Sequence, residues 1–273
     1  MISFVILTFN SQKYLREVLA SAAWADEIII VDSGSSDETE TIASEFERVR
    51  FIRQDWLGFG AQKQFGVDAA KNDWVFVLDS DEVLTPELSA EIREVVNSNL
   101  NAENSVREAG QLREARGFGA VSPERKDGLG SSAQSNLNPV AYKVARLNYF
   151  FGAPIKRMGL YPDYTVRLFN RKFARFDGRA VHESVVASGE IGALKNHFIH
   201  HAYESVEQFI AKQNRYSNLN ARPNKIKAIF HPFWAFFRLY VLKGGFLEGW
   251  RGYVIARLYA QYTFWKYVKT RAE

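Results

Sequence analysis

The first hundred residues alternate between short apolar runs and stretches in which apolar residues recur every three or four positions. The apolar runs predict four buried strands, at residues 2–7, 27–31, 49–52 and 74–78. The periodic stretches predict helices that begin near Ser11 and after Asp37, and others over residues 60–70 and 86–97. This alternation indicates an α/β fold with a Rossmann-like, mostly parallel sheet flanked by helices.

Polar side chains stand at the carboxyl ends of three predicted strands. Thr8 follows the first strand, Asp32 the second, and Asp79-Ser80-Asp81 the fourth. Because ligands bind beyond the carboxyl ends of parallel strands, these residues are expected to converge. Two carboxylates this close repel unless a cation or solvent screens them, and oxygen ligands favour Mg²⁺ or Mn²⁺. On spacing alone, a metal site and a solvated turn are equally good interpretations.

The pattern breaks after the fourth strand and its helix. Residues 97–139 contain a single aromatic, Phe118, and are rich in Asn, Ser, Gly, Glu and Arg, which predicts a mobile insertion or loop. Short strands are then predicted over residues 141–201, followed by a helix over 205–220 and a helical tail over 226–268. The predicted division is therefore 1–96, 97–139, 140–220 and 221–273.

Charge and aromatic residues concentrate in the tail. The chain has a net charge of +4, but residues 222–273 hold ten Lys or Arg and two acids, with 14 of the 39 aromatics. Such a segment favours an anionic partner, either a membrane or a nucleic acid. Charges interrupt it too often for a membrane-spanning helix, so it fits a helix lying in a membrane interface or one packed on the core.

Two features that the sequence lacks restrict the possible chemistry and the expected cellular location. The chain has no cysteine, which excludes disulfides and Cys-ligated zinc and suits a reducing cytosol. Met1 leads directly into the first apolar run, without the basic leader of a signal peptide. We therefore expect a cytoplasmic protein, peripheral on the inner face of the cytoplasmic membrane.

Four motifs together resemble the family 2 glycosyltransferases, which are inverting enzymes of the GT-A fold that use nucleotide-sugars. They are Thr8-Phe9-Asn10, the segment from Asp32 to Asp37, the Gly-punctuated stretch WLGFGAQKQFG from Trp56 to Gly66, and Asp79-Ser80-Asp81. Val181-His182-Glu183, with the segments around Tyr161 and Arg167 before it, extends the resemblance to about residue 200. The chain is most similar to the branch that adds glucose-type sugars to the lipopolysaccharide core, and this implies a UDP-glucose-like donor and a lipid-linked saccharide acceptor.

The resemblance implies roles for the residues of the first half. Asp32 would accept hydrogen bonds from the uracil or ribose, although a helix-capping turn is the alternative. Thr8 and Phe9 would line the base pocket, Ser80 would contact the donor, and Lys63 would face the diphosphate or the base. Asp79 would contact ribose and metal, and Asp81 would bind the metal, Mg²⁺ or Mn²⁺, directly. Trp56 is a candidate for stacking on sugar, and Gln64 departs from the Asn that is common in the family.

An inverting transfer needs one base to take the proton of the acceptor hydroxyl. Glu183 is the predicted base, and Asp163 and Asp177 are its competitors. His182 is predicted to orient Glu183, hold the acceptor or complete the metal shell, and Arg167 to bind an acceptor phosphate or form an ion pair. His197, His200 and His201 lack a familiar metal spacing and are interpreted as structural or acceptor-side residues.

Two other functions are compatible with parts of the sequence. A polyprenyl-phosphate sugar transferase shares the motifs of residues 1–96, but the interrupted tail and Val181-His182-Glu183 argue against it. A nucleic-acid-binding protein would use the basic tail, but no recognition motif is present, so no nucleic-acid partner is expected. A dinucleotide-binding dehydrogenase is disfavoured because no G-x-G-x-x-G follows the first strand.

Overall fold

The computed structural model describes residues 1–115, 138–177, 183–219 and 221–269, with side chains for all of these except 102–115 and 219. The chain divides into two compact units. Unit 1 comprises Met1–Ser80, Pro86–Lys143 and Val166–Leu194, and unit 2 comprises Asp81–Thr85, Val144–Thr165 and Lys195–Glu273.

The described residues form strands and helices in the following order. The strands are β1 (Ile2–Thr8), β2 (Glu27–Asp32), β3 (Val49–Arg53), β4 (Trp74–Asp79), β5 (Glu82–Leu84), β6 (Ala141–Phe150), β7 (Ala153–Pro154), β8 (Asp163–Asn170), β9 (Ala174–Phe176), β10 (Val185–Ala187) and β11 (Ile191–Tyr203). The helices are α1 (Gln12–Ala22), α2 (Thr39–Ser44), α3 (Phe59–Asp68), α4 (Pro86–Ala115), α5 (Val206–Leu219), α6 (Lys225–Phe237) and α7 (Gly249–Val268). A π-helical turn (Arg238–Leu242) and a 3₁₀ turn (Gly245–Glu248) lie between α6 and α7.

Unit 1 contains a parallel sheet with the strand order β3-β2-β1-β4, and β8 pairs antiparallel with β4 at its edge. The predicted α/β fold, with a Rossmann-like parallel sheet flanked by helices and a helical C-terminal region, is confirmed. The register places Thr8 opposite Asp32 and Leu7 opposite Asp79. The carboxyl ends of β1, β2 and β4 therefore meet at one edge of the sheet, as the strand-end motifs predicted.

The core of unit 1 explains why residues 4–7 of β1 and 28–31 of β2 are apolar on both faces of the sheet. Each residue of both strands is buried, since helices cover both faces of a parallel sheet. Helix α3 approaches β1 and β2 so closely that a Cβ atom on Gly66 would lie 2.4 Å from Val5 Cγ1 and 3.0 Å from Val31 Cγ2. Gly66 thus permits the packing that positions α3 beside the strand ends.

Gly66→Ala is expected to destabilise the protein by about 1–3 kcal/mol, because the new methyl group overpacks a rigid β-branched neighbour. Urea unfolding of the two proteins measures the difference. The double variant Gly66→Ala, Val5→Ala removes the colliding methyl group and should be less destabilised than the sum of the two single variants. Strict additivity would show that this close approach does not limit stability.

The structure differs from the sequence prediction in two places. Helix α4 continues to Ala115, 18 residues beyond the predicted end at residue 97. Residues 98–115 are poor in large apolar residues, but eight of these 18 residues are Ala, Glu or Arg, which favour helix, so the loop prediction is wrong for this segment. Residues 116–137 lie outside the described residues. The predicted strands near 141–144 and 149–152 belong largely to a single strand, β6.

Unit 2 is built from antiparallel pairs and the C-terminal helices. Strand β5 pairs with β11 so that His200 lies opposite Glu82, and β7 pairs with the end of β6. A second core lies here, and it consists of Phe150, Ile155, Met158, Ala202, Tyr203, Phe209, Leu239, Ile255 and Ala256. Across the part of the chain that the structure describes, no helix is both long and apolar enough to cross a membrane.

Candidate active site

Asp32 organises the turn that follows β2. Its side chain is buried and accepts four hydrogen bonds, from Thr8 Oγ1 (2.8 Å), Gly34 N (2.9 Å), Ser35 N (2.8 Å) and Ser35 Oγ (2.5 Å). Burial alone would raise the pKa of Asp32, but these donors outweigh it and lower that pKa. A carboxylate has about four acceptor positions, and these four hydrogen bonds use that number. Asp32 therefore shapes the turn. Its predicted contact with a nucleoside stays a prediction.

Aromatic side chains are exposed beside this turn and at the start of α3. Phe9 is 63% exposed and Trp56 is 51% exposed, although each is large and apolar. Trp56 packs edge-on against Phe59, with 4.8 Å between ring centroids. Single exposed rings are ordinary, but rings at the carboxyl end of a parallel sheet offer flat surfaces on which a base or sugar can stack. The predicted roles of Phe9 and Trp56 remain predictions.

Gln62 is a positioning residue that sequence reasoning missed. It is fully buried, accepts a hydrogen bond from Leu57 N (3.1 Å), and donates to Ser33 Oγ (3.2 Å) and to Gln54 O (3.1 Å). It therefore ties α3 to the segments that follow β2 and β3. Gln64, in contrast, bonds Asp68 and the backbone of Phe176, so it supports α3 and β9.

Lys63 joins the predicted base to the first acidic residue of the Asp-Ser-Asp motif. Its Nζ donates to Glu183 Oε1 at 2.8 Å and lies 3.2 Å from Asp79 Oδ1. The Lys63 side chain is only 4% exposed, whereas Glu183 and Asp79 are 19% and 35% exposed. A buried ammonium therefore holds two carboxylates that both reach solvent. Glu183 and Asp79 are 104 positions apart in the chain. They share Lys63 as a partner because the fold places α3 beside both carboxylates.

Arg167 holds the other oxygen of Asp79. Its Nη2 lies 3.1 Å from Asp79 Oδ2, and the Arg167 side chain is buried. Removal from water by itself would raise the pKa of Asp79, but the Lys63 and Arg167 cations hold that pKa well below its usual range. Asp79 is therefore ionised at neutral pH. The ion-pair alternative for Arg167 is the one observed, and acceptor binding by Arg167 stays a prediction.

The two competing bases have structural partners. Asp177 accepts hydrogen bonds from Ser184 N (3.1 Å) and Ser184 Oγ (2.7 Å), and its own backbone N–H donates to Ser184 O, so Asp177 is engaged by the residue next to Glu183. Asp163, in unit 2, accepts two hydrogen bonds on a single oxygen from the Arg146 guanidinium. These contacts favour Glu183, which bonds Lys63 through Oε1 among the residues that the structure describes.

Ser80 and Asp81 follow Asp79 but have separate surroundings. Ser80 Oγ accepts from Ser11 Oγ at 2.7 Å, within unit 1. In unit 2, Asp81 Oδ2 lies 3.6 Å from His200 Nε2, which is too long for a hydrogen bond. The carbonyl of Asp81 accepts from the backbone N–H of His201 at 3.0 Å. That bond fixes Asp81 against β11.

The tautomer of His200 follows from its second contact. Asn148 Nδ2 donates to Leu160 O (3.1 Å), so Asn148 Oδ1 is the atom that faces His200 Nδ1, at 2.7 Å. An amide oxygen only accepts, so Nδ1 carries a proton, and in the neutral imidazole the lone pair is on Nε2. In that form, two electron-pair donors, Nε2 and Asp81 Oδ2, face each other. This arrangement fits a shared divalent cation, with Asn148 as the outer partner that orients the imidazole.

Other predicted histidines take part in ordinary contacts. His197 Nδ1 lies 3.3 Å from the Tyr161 hydroxyl, and the His201 ring packs on Tyr149. His182 lies outside the described residues. Among the side chains that the structure describes, no group of three or more His, Asp or Glu is arranged to hold a metal ion. Spacing along the chain could not have singled out His200, because only the pairing of β11 with β5 brings it to Asp81.

The chain is similar in sequence to known glycosyltransferases. Residues 3–102 match the family described as Glycosyl transferase family 2. The chain is 28% identical to the lipopolysaccharide core biosynthesis glycosyltransferase LpsC of Rhizobium meliloti, over 96% of this chain and 89% of that protein. It is 27% identical to an uncharacterised glycosyltransferase of Rickettsia bellii, over 99% and 86%.

Solved structures of glycosyltransferases also match. Staphylococcus aureus TarS in complex with UDP covers 86% of this chain and 71% of its own, at 15% identity and a TM-score of 0.38. Glucosyl-3-phosphoglycerate synthase of Mycobacterium tuberculosis, with Mn²⁺ and UDP, covers 30% and 34%, at 27% identity and a TM-score of 0.28.

Proposed function

Because this chain is a glycosyltransferase with a family 2 domain over residues 3–102, we propose that it transfers a hexose from a UDP-glucose-like donor, with inversion, to a lipid-linked saccharide. The acceptor class is suggested by the relative that acts in lipopolysaccharide core biosynthesis. Such an acceptor is carried by a membrane, so the proposed place of action is the inner face of the cytoplasmic membrane.

The observation that carries this proposal is the contact of Lys63 with both Glu183 and Asp79. Transfer requires a base on the acceptor side within a few ångströms of the residues that hold the donor. Asp79 ends a parallel strand, where donors bind, and Glu183 enters from the segment before β10. Their common ammonium keeps the two carboxylates at a fixed separation in a partly enclosed site.

Glu183 is the proposed general base. Its carboxylate takes the proton of the acceptor hydroxyl as that oxygen bonds to the anomeric carbon, and the bond from that carbon to the diphosphate oxygen breaks. Attack comes from the side opposite the leaving group, which inverts the anomeric configuration. Lys63 orients Glu183 through Oε1 and leaves Oε2 to face the acceptor. Asp79, held by Lys63 and Arg167, is proposed to contact the donor ribose.

Asp81 and His200 are the proposed protein ligands of Mg²⁺ or Mn²⁺. Their facing lone pairs, with the His200 tautomer set by Asn148, support this assignment over a cation held by Asp79, whose two oxygens are engaged by Lys63 and Arg167. A divalent ion bound there would supply positive charge that stabilises the leaving diphosphate. Asp81 would supply a hard oxygen ligand, and His200 would supply an imidazole nitrogen.

A donor screen by thermal shift tests the proposal. A ligand that binds only the folded protein raises its melting temperature, by an amount that grows with ligand concentration over Kd. We expect a UDP-hexose to raise the melting temperature in the presence of Mn²⁺ and to raise it less after chelation. An ADP-sugar of the same concentration is the matched control. If no nucleotide-sugar raises the melting temperature, with or without metal, the proposed function is wrong.

A further inference from the structure

Helix α6 presents an apolar face that the described part of the chain leaves exposed. Large apolar side chains are between 43% and 75% exposed at eight positions along α6 and the π-helical turn, and six of them lie on one side: Ile226, Phe230, Phe233, Trp234, Phe237 and Val241. At about 100° per residue, these positions fall within an arc of about 100° around the helix axis. We call these six residues the α6 face. They form a continuous stripe rather than scattered single exposures, which are normal on protein surfaces.

The opposite side of the same helix packs into unit 2. Ala228 and Leu239 are buried there, and the ring of Phe236 lies 5.7 Å from that of Tyr253 in α7. The helix is therefore apolar on both its packed side and its outer side. A helix of this kind is stable only where something other than water covers the outer side. The apolar surface continues at Phe246 and Trp250, which are 52% and 59% exposed.

Basic side chains border the α6 face on both sides. Lys225 and Lys227, the two neighbours of Ile226, are exposed and lie about 100° to either side of it around the axis. Arg238 and Lys243 are exposed at the far end. Acidic residues are scarce, since Glu248 is the single acid between residues 222 and 269. Its carboxylate accepts a hydrogen bond from the backbone N–H of Lys156.

We propose that the α6 face lies in the interfacial region of an anionic membrane. The rings and Ile226 enter the boundary between headgroups and acyl chains, and Lys225, Lys227 and Arg238 contact lipid phosphates. Exposed Trp and Phe on one side, bordered by Lys and Arg, are the features of a helix that lies in this plane. Phosphate groups complement the basic border, whereas pairing of this face with the same face of a second copy would bring like charges together.

Vesicle flotation of the full-length chain tests this proposal. Wild-type protein should float with vesicles of phosphatidylcholine and phosphatidylglycerol, and should bind vesicles of phosphatidylcholine alone at least about ten-fold more weakly, because several basic residues contribute. Phe233→Ser with Trp234→Ser should lower binding to the anionic vesicles by about ten-fold or more. Lys225→Glu with Lys227→Glu should lower it similarly and reduce the sensitivity of binding to salt. Phe173→Ser, at a 47% exposed Phe in unit 1, is the matched control and should float as wild type does.

The outcomes distinguish membrane binding by the α6 face from contact between copies of the chain. Wild-type protein that stays in the dense fractions with anionic vesicles overturns the proposal, as does normal flotation of the Phe233 and Trp234 variant. If that variant instead converts a dimer to a monomer in analytical ultracentrifugation, without a change in flotation, the face is a contact between copies of the chain. The melting temperature verifies that each variant is folded. Membrane binding by the α6 face would bring the protein to the lipid-linked acceptor of the proposed function. Flotation requires neither donor nor turnover, so a negative flotation result is distinguishable from failure of the proposed function.

Discussion

Replacement of Glu183 by Gln is expected to lower the rate of sugar transfer by about 10²- to 10⁴-fold, the usual contribution of a general base. Gln has the shape of Glu and its carbonyl oxygen still accepts from Lys63, but it cannot take a proton from the acceptor hydroxyl. Donor binding should persist, because Glu183 is not proposed to contact the nucleotide. Initial rates at saturating donor and acceptor measure the first effect, and the thermal shift produced by a UDP-hexose measures the second.

The two competing carboxylates provide the controls for Glu183. Asp163→Asn alters the contact with Arg146, and Asp177→Asn alters the contact with Ser184, so both are expected to affect stability more than the chemical step. Turnover should therefore fall far more in Glu183→Gln than in the Asp variants that fold. Near-normal turnover by Glu183→Gln would reject its assignment as the base.

Replacement of Asp81 by Asn is expected to remove most of the stimulation of transfer by Mn²⁺, because a neutral amide is a far weaker ligand for a hard cation than a carboxylate. His200→Gln should weaken Mn²⁺ binding as well. Asn148→Leu, which removes the acceptor that orients His200, should weaken it by about 10- to 100-fold, as is usual for an outer partner of a metal-bound histidine. Isothermal titration with Mn²⁺ and UDP measures these affinities without reference to turnover.

His201→Gln is the matched control for this metal site. It removes the adjacent imidazole, whose ring packs on Tyr149, and should leave the Mn²⁺ affinity unchanged. A loss of affinity in His201→Gln with none in His200→Gln would show that the lone pair on His200 Nε2 is not a ligand. Asp79→Asn distinguishes the proposed role of Asp79 from that of Asp81. It should disturb the contacts with Lys63 and Arg167, and it should weaken donor binding more than metal binding.

The strand ends of unit 1 could be predicted because their signals are local. Runs such as residues 28–31 are apolar at every position, which is the pattern of a strand covered on both faces. Parallel register then carries Thr8, Asp32 and Asp79 to one edge without any further information. The helix beyond residue 97 was missed for the opposite reason. Its residues lack apolar periodicity, although the Ala, Glu and Arg among them favour helix.

The surroundings of each candidate side chain required the fold. Asp32 was identified from its position after β2, but three of its four hydrogen bonds depend on how Gly34 and Ser35 turn back towards it, and the fourth comes from Thr8. Gln62 carries no motif, and its burial under the segments after β2 and β3 follows from the close approach of α3 that Gly66 permits. Exposure of the α6 face likewise depends on which side of that helix packs into unit 2.

The sequence by itself determined the class of fold and the edge of the sheet that holds the strand-end residues. These two features follow from hydrophobic period and from register, which are properties of short segments. The two carboxylates on which the proposed chemistry rests, Glu183 and Asp81, were predicted with the help of the resemblance to a known family. Only the tertiary structure decided that Lys63 contacts Glu183, 120 positions away, and that His200 rather than His197 or His201 faces Asp81. Such pairs form because packed helices and antiparallel strands bring distant segments together. The spacing of residues along the chain does not predict these contacts.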